Sequence, residues 1–163
     1  MRLRHAIHIG RYARRPAAPN CSLFTTKALV LPCGLRKWQL VKSAMISEGE
    51  ALFEPFGGIH HIYRNEAAAK AAESGQPYPE GSIFVFDLYE AKDSENGPVE
   101  GNRKFLAIME KRAELFGATG GWGYQAFKGE QNEAFVTDAK KDCYACHESE
   151  APRDYIFSAA GNR

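Results

Sequence analysis

The residues best suited to chemistry lie in the stretch DCYACHESEAPRDYIF, which spans positions 142–157. Within five consecutive positions there, Cys143, Cys146 and His147 form the pattern C-x-x-C-H. Two thiols and an imidazole at this spacing suit a zinc site, a thiol redox pair or a covalently attached haem. The rest of the sequence has to distinguish among these three.

Zinc and redox chemistry each lack something in this chain. A structural zinc site needs four ligands, and the run supplies at most three. The other cysteines and histidines are Cys21, Cys33, His5, His8, His60 and His61. None of them forms a second C-x-x-C or an H-x-x-x-H pair. A thioredoxin-like pair follows a strand early in a βαβ unit, whereas this pair comes late in the chain.

Covalent haem fits the pattern with no part missing. Two thiols one helical turn apart can add to the two vinyl groups on one edge of a haem, and the histidine that follows can bind the iron. The residues therefore favour haem attachment, with zinc or an inert pair of cysteines as the alternatives.

The elements that must position this segment read as strands first and a helix last. Along 78–91, Ser82, Phe84, Phe86 and Leu88 alternate with Ile83, Val85 and Asp87, which predicts a strand with two distinct faces. Further strands are predicted over 36–46, 57–63, 103–112 and 120–129, and helices over 65–75 and 133–150. The Asn-Gly in the polar region 93–102 is typical of a hairpin.

This order predicts the α+β class. The expected fold is a predominantly antiparallel β-sheet with an early helix and a C-terminal helix that carries the C-x-x-C-H haem site.

Length and charge narrow the class of protein. The 163 residues suit one domain, which we place at 31–163, after a basic tail or targeting segment at 1–30. Residues 1–47 hold nine Lys/Arg and no acid, which leaves 48–163 with a net charge of −8. An acidic domain has no electrostatic reason to bind nucleic acid. No apolar run reaches the length of a membrane span.

Three segments together resemble the cytochrome P-460 and cytochrome c′-beta family: GWGYQAFKG, DCYACHESEAPRDYIF, and the upstream IHHIYRNEAA with YPEGSIFVFDL. The resemblance covers roughly residues 31–158. It implies a β-rich, c-type haem protein that forms homodimers. Because covalent attachment of haem generally requires export, we expect the protein in the bacterial periplasm. The resemblance also implies one haem c, with thioether bonds to Cys143 and Cys146 and with His147 as the proximal ligand of its iron.

The resemblance divides at one position. The P-460 branch carries a lysine on the long strand that is bonded to the haem, and it oxidises hydroxylamine. Phe86 stands at that position here, and positions 71–91 contain no lysine. The chain therefore looks like the c′-beta branch, in which phenylalanines cap the distal face and the haem binds nitric oxide or carbon monoxide. The cap would be formed by Phe86 and Phe56.

Other residues carry smaller expectations. His60 takes the place of an arginine of the P-460 branch and could donate a hydrogen bond to a bound ligand, and Trp122 is expected to line the haem pocket or the core. Iron ligation by His60 or Met109 would instead indicate a simple electron-transfer cytochrome with a redox partner. A hydroxylamine-oxidising enzyme is the other alternative. Cys21 and Cys33 could form a disulfide in an oxidising compartment.

Overall fold

One antiparallel sheet forms the centre of the protein. The computed structural model describes residues 28–32, 34–129 and 133–158. Within them, five strands pair in the order of the sequence. The strands are β1 Gln39–Ile46, β2 Gly58–Arg64, β3 Ile83–Lys92, β4 Val99–Lys111 and β5 Trp122–Lys128. Residues 1–27 and Cys33 lie outside the described residues, and with them the basic tail and the question of a Cys21–Cys33 disulfide.

The helices are short. They comprise the single turn α1 Phe53–Phe56, α2 Glu66–Ser74, and two 3-10 turns at Leu35–Lys37 and Gly117–Thr119. Asn65 caps the start of α2, because its side chain accepts a hydrogen bond from Ala68 N at 3.1 Å, and Gly75, with φ 66°, caps its end. These are the ends predicted from the sequence. The α+β class with a mainly antiparallel sheet is confirmed.

A C-terminal helical segment follows the sheet. It consists of a π turn at Lys140–Tyr144, α3 Ala145–His147 and a 3-10 turn at Glu148–Arg153. The predicted start at 133 was wrong, because Ala134 forms a bridge with Phe127 of β5 and Phe135 N donates to Ala126 O. The chain thus stays extended beside the sheet before the segment begins. The motif of two cysteines and His147 lies inside the segment, as predicted.

Three other predicted boundaries need correction. Strand β1 begins at Gln39 rather than 36, because Leu35–Lys37 form a 3-10 turn. Strand β3 begins at Ile83 rather than 78, because Ser82 N bonds Pro79 O in a turn. Strand β4 begins at Val99 rather than 103, because the hairpin turn is tight: Gly97 has φ 101° and donates its N–H to Ser94 O. Much of the polar region 93–102 is therefore turn followed by strand.

The two faces of the sheet are covered by the segment before β1 and the segment after β5. On the first face, Ile83 and Val85 pack with Leu106, Ile108 and Phe127, and the cover comes from Leu29, Leu31, Leu35, Trp38 and Tyr63. We call the opposite face the site face. There, Phe84, Met109, Trp122, Tyr124 and Ile156 form a core against which Cys143, Tyr144 and Tyr155 pack. The apolar contacts of the site face thus hold the C-terminal segment in place.

A close approach of two strands fixes the position of α1. Gly57 and Gly58 join α1 to β2, and Gly58 has φ 128°, a conformation that side chains strongly disfavour. A Cβ on Gly58 would lie 2.1 Å from the carbonyl oxygen of Tyr89 in β3. Glycine at this point lets β2 begin directly against β3. Phe56, the last residue of α1, is thereby held next to the site face.

The helices of the described residues include none with the length and apolar character needed to cross a membrane.

Candidate functional site

The two thiols of the motif lie in different surroundings. Cys143 is half-buried against the site-face core, and Cys146 is exposed; both are free. Burial raises the pKa of the Cys143 thiol to about 11, with a further contribution from the charge of Asp142. Cys143 is therefore a protonated thiol at neutral pH. Its partner lies three residues on, close to one helical turn along the same segment.

The hydrogen bond of His147 fixes which ring nitrogen can bind a metal. Nδ1 lies 2.7 Å from the carbonyl oxygen of Tyr155. A carbonyl can only accept, so Nδ1 carries the proton and Nε2 keeps its lone pair. The ring lies 5.1 Å from that of Tyr124 and 5.0 Å from that of Phe157, centroid to centroid. Burial lowers the pKa of His147, which favours the neutral imidazole that metals bind.

Five rings form a second group on the site face, which we call the aromatic cluster: Phe56, His60, Phe86, Phe105 and Phe135. His60 stacks on Phe86 at 5.0 Å between ring centroids. Phe56 meets Phe86 edge-on at 5.8 Å, and Phe105 stacks on Phe86 at 6.0 Å. The three residues predicted for a distal face are thus brought together around Phe86.

Sequence reasoning missed two members of the aromatic cluster. Phe105 shares its face with Met109, because the two lie four residues apart on β4, so period-2 alternation could have found it. Phe135 follows β5 in an extended stretch, and its ring lies 5.9 Å from that of Phe105. No periodic signal marks Phe135.

The adjacent histidines lie on opposite faces, as predicted for neighbours on a strand. His60 is 5% exposed, and its Nδ1 is buried without a hydrogen-bond partner. The Nδ1 of His61 lies 2.7 Å from Ser43 Oγ on the other face, and its Nε2 lies 2.7 Å from Glu100 Oε1. His60 is therefore the histidine that shares the face of the C-terminal segment.

The segment with His147 and the aromatic cluster are neighbours along β3. Phe84 packs in the core under the C-terminal segment, while Phe86 lies in the aromatic cluster. Two residues along a strand span about 7 Å, and both side chains point to the same face. Residues from β2, β3, β4 and the C-terminal segment thus converge on one surface.

Three further residues near the site occupy structural positions. Trp122 is fully buried in the core, and its Nε1 donates to Asp154 Oδ1 at 3.2 Å. Met109 is also buried in that core, which favours packing over ligation. Arg153 forms an ion pair with the carboxylate of Glu150.

The donor set of the site fits a haem. His147 offers Nε2, and two free thiols precede it at the spacing of haem attachment. The buried polar atoms of the site face that have no hydrogen-bond partner within the protein include His60 Nδ1 and Tyr124 Oη, so a bound group could satisfy them. A zinc site would need more ligands, and within the described residues no three His, Cys, Asp or Glu side chains come together to hold a metal.

Comparison with known families bears on the same residues. The sequence model of the family described as Cytochrome P460 matches residues 32–158. No curated protein matches the chain. The chain belongs to the cytochrome P460 family, which indicates a haem cytochrome.

The burial of His60 predicts a pH dependence of stability. Burial, followed by the charges of Lys42 and His61, lowers the pKa of His60 below 6.5. As pH falls through about 6.5, the unfolded chain gains a proton at this position that the folded chain does not, so the free energy of unfolding falls. Between about pH 7.5 and pH 5.5, wild type should lose more stability in urea unfolding than His60→Gln. The contributions of titrating groups that both proteins share cancel in this comparison. Equal losses of unfolding free energy in the two proteins would therefore contradict a lowered pKa of His60.

Proposed function

We propose that this member of the cytochrome P460 family is a mono-haem c-type cytochrome that binds small diatomic gases, such as nitric oxide or carbon monoxide. Cys143 and Cys146 would hold one haem c through thioether bonds, and His147 would bind its iron through Nε2. Phe86 and Phe56 would cap the opposite side, and His60 would face the bound gas. A role in binding or removing nitric oxide follows from this chemistry.

The observation that carries the proposal is the state of His147, directly after the two thiols. Its Nδ1 proton is engaged by the Tyr155 carbonyl, so Nε2 is available as a ligand. Each thiol can add across a vinyl group: the S–H bond and the π bond of the vinyl group break, a C–S bond and a C–H bond form, and no external oxidant or reductant is needed. When bound, the haem supplies an iron with one open coordination position.

The aromatic cluster supports a gas ligand over a larger or charged one. Phe56, Phe86 and Phe105 offer apolar surfaces that exclude water and anions, while a neutral diatomic can enter beside a ring. The lowered pKa of His60 keeps its imidazole neutral at pH 7. A neutral ring can still donate one hydrogen bond to the outer atom of a bound gas.

Hydroxylamine oxidation is the enzymatic alternative. It would need the lysine that the P-460 branch bonds to its haem, and Phe86 cannot form that bond. Lys42, which pairs with Ile62 across from Phe86, shares the site face but lies exposed on strand β1. This arrangement favours gas binding.

A simple electron carrier is the third candidate. It would need a second strong iron ligand from His60 or Met109, and Met109 is enclosed in the core. The proposal therefore keeps a redox partner only as the source of electrons for the iron.

We place the protein in the bacterial periplasm, because c-type haem is attached there, and we propose a homodimer. Leu40 and Met45 are exposed apolar residues of the outermost strand β1 and offer a surface for one.

Covalent attachment predicts that haem survives denaturation. The purified protein should keep its haem through acid–acetone extraction and show the mass of one added haem, while Cys143→Ala/Cys146→Ala should release it. The control is Cys21→Ser/Cys33→Ser, which alters the other two cysteines and should retain haem. Free haem from the wild-type protein would overturn the proposal.

A second prediction concerns access past Phe86. In Phe86→Ala the ring no longer covers the iron, so carbon monoxide should associate faster in stopped-flow measurements, at a cost of about 3 kcal/mol in stability. Val85→Ala is the matched control, because Val85 is buried on the opposite face and its truncation costs about 2 kcal/mol without opening the site. Unchanged association in folded Phe86→Ala would mean that Phe86 does not lie over the iron.

A third prediction tests His60 as a donor. In His60→Leu the hydrogen bond to bound carbon monoxide is lost, so the infrared C–O stretch of the ferrous adduct should move to higher frequency. His61→Leu is the control, because its ring lies on the other face, between Ser43 and Glu100. If both variants keep the wild-type frequency, His60 does not face the ligand.

A further inference from the structure

We infer that Asp154 is a positioning residue for His147: by tying the Tyr155 carbonyl to the sheet through Lys111 and Trp122, it sets how strongly His147 Nε2 binds iron. The inference rests on the proposed function, because that function places an iron at His147. The geometry of the inference rests on the contacts of Asp154 and Tyr155. The inference concerns a residue that touches neither the thiols nor the histidine ring.

The carbonyl that holds His147 sits in an unusual turn. Asp154 has φ 52° and Tyr155 has φ 66°, so two successive residues that are not glycine adopt the left-handed conformation. Such residues are uncommon in that region and persist only where their surroundings fix them. The position of the Tyr155 oxygen, 2.7 Å from His147 Nδ1, therefore depends on what holds this turn.

The Asp154 carboxylate is the main tie between the turn and the sheet. Its Oδ1 accepts a hydrogen bond from Lys111 Nζ at 2.5 Å and another from Trp122 Nε1 at 3.2 Å. Lys111 and Trp122 are directly paired across β4 and β5, and the Lys111 amine lies 5.0 Å from the centre of the Trp122 ring. Because Trp122 is fully buried, one end of the tie is rigid.

Tyr155 itself is held by contacts other than its bond to the histidine. Its ring lies where a Cβ on Gly120 would come within 2.3 Å of it, and it packs 5.6 Å from the ring of Tyr144. Its backbone N–H donates to Glu150 O at 2.9 Å, and the next residue, Ile156, is buried in the core. These contacts fix the ring and the chain direction, while the carboxylate of Asp154 fixes the start of the turn.

The consequence for iron follows from the chemistry of the imidazole. A strong hydrogen bond from Nδ1 orients the ring and increases electron donation from Nε2, which is how partners of a ligand tune a metal. If the turn relaxes, this bond lengthens and the ring gains freedom. The iron–histidine bond should then weaken, and the ferric state should lose stability relative to the ferrous state.

The experiment measures the iron–histidine stretch of the ferrous protein by resonance Raman spectroscopy, together with the reduction potential. Asp154→Ala removes both hydrogen bonds. Asp154→Asn tolerates the left-handed turn and keeps an oxygen for Trp122, but it loses the ion pair. Lys111→Met breaks the same ion pair from the other side. Lys70→Gln is the matched control, because it also removes the cation of an ion pair, which Lys70 forms with Glu66 on the exposed surface of α2.

We expect Asp154→Ala to lower the stretching frequency and raise the potential, and Asp154→Asn and Lys111→Met to shift both by a smaller and similar amount. Lys70→Gln should leave both unchanged. Wild-type values in folded, haem-loaded Asp154→Ala would overturn the inference. If that variant does not fold, wild-type values in Asp154→Asn and Lys111→Met would overturn it.

A wild-type protein without haem would overturn the proposed function rather than this inference. The hydrogen bond would then be read from the ¹⁵N chemical shift of His147 Nδ1, in wild type and Asp154→Asn labelled at histidine. An unchanged shift between the two proteins would overturn the inference as well.

Discussion

The register of β3 between β2 and β4 is the constraint on which the site depends. Side chains alternate between faces, so a slip of one residue would exchange Phe86 for Val85 or Asp87. Asp87 opposes such a slip, because Arg103 on β4 donates to both of its carboxylate oxygens, at 2.6 and 3.1 Å, on the other face. Tyr89 joins the same group through its hydroxyl. A slip would place the buried carboxylate of Asp87 in the aromatic cluster and separate it from Arg103. An unpaired buried charge would strongly destabilise the fold.

Once the register is set, the segment before β1 and the segment after β5 can cover different faces of the sheet. The segment near Leu29 and Trp38 closes the face of Val85, and the segment from Lys140 to Arg153 closes part of the other. The site is therefore assembled from parts far apart in sequence. Phe56, Phe86 and Phe105 meet through strand pairing, and His147 reaches the same face through the packing of Ile156 and Cys143. The site should form only when the sheet is complete.

Sequence reasoning succeeded where the signal is local and failed where it is not. The alternation through Phe84 and Phe86 and the capping by Asn65 follow from nearest neighbours, so the strand and the helix were predicted. The Lys111–Asp154 pair joins residues 43 positions apart, and it exists only because Lys111 is aligned with Trp122 and the chain turns back at Asp154. No local pattern encodes that turn. The late start of the C-terminal segment was missed for the same reason, since the bridge at Ala134 depends on β5.

The size of the residues along the sheet distinguishes the two parts of the site face. Phe86 is paired across the sheet with Ala107 of β4, which is paired with Ala126 of β5. The small side chains of the two alanines leave space above the sheet. On the next row, Met109 and Tyr124 continue from Phe84 and fill the space under the C-terminal segment. The haem proposed for His147 would find small side chains on one side of Tyr124 and aromatic rings beyond them. With His60 neutral, none of those rings carries a charge, so the site would favour a ligand that is itself neutral.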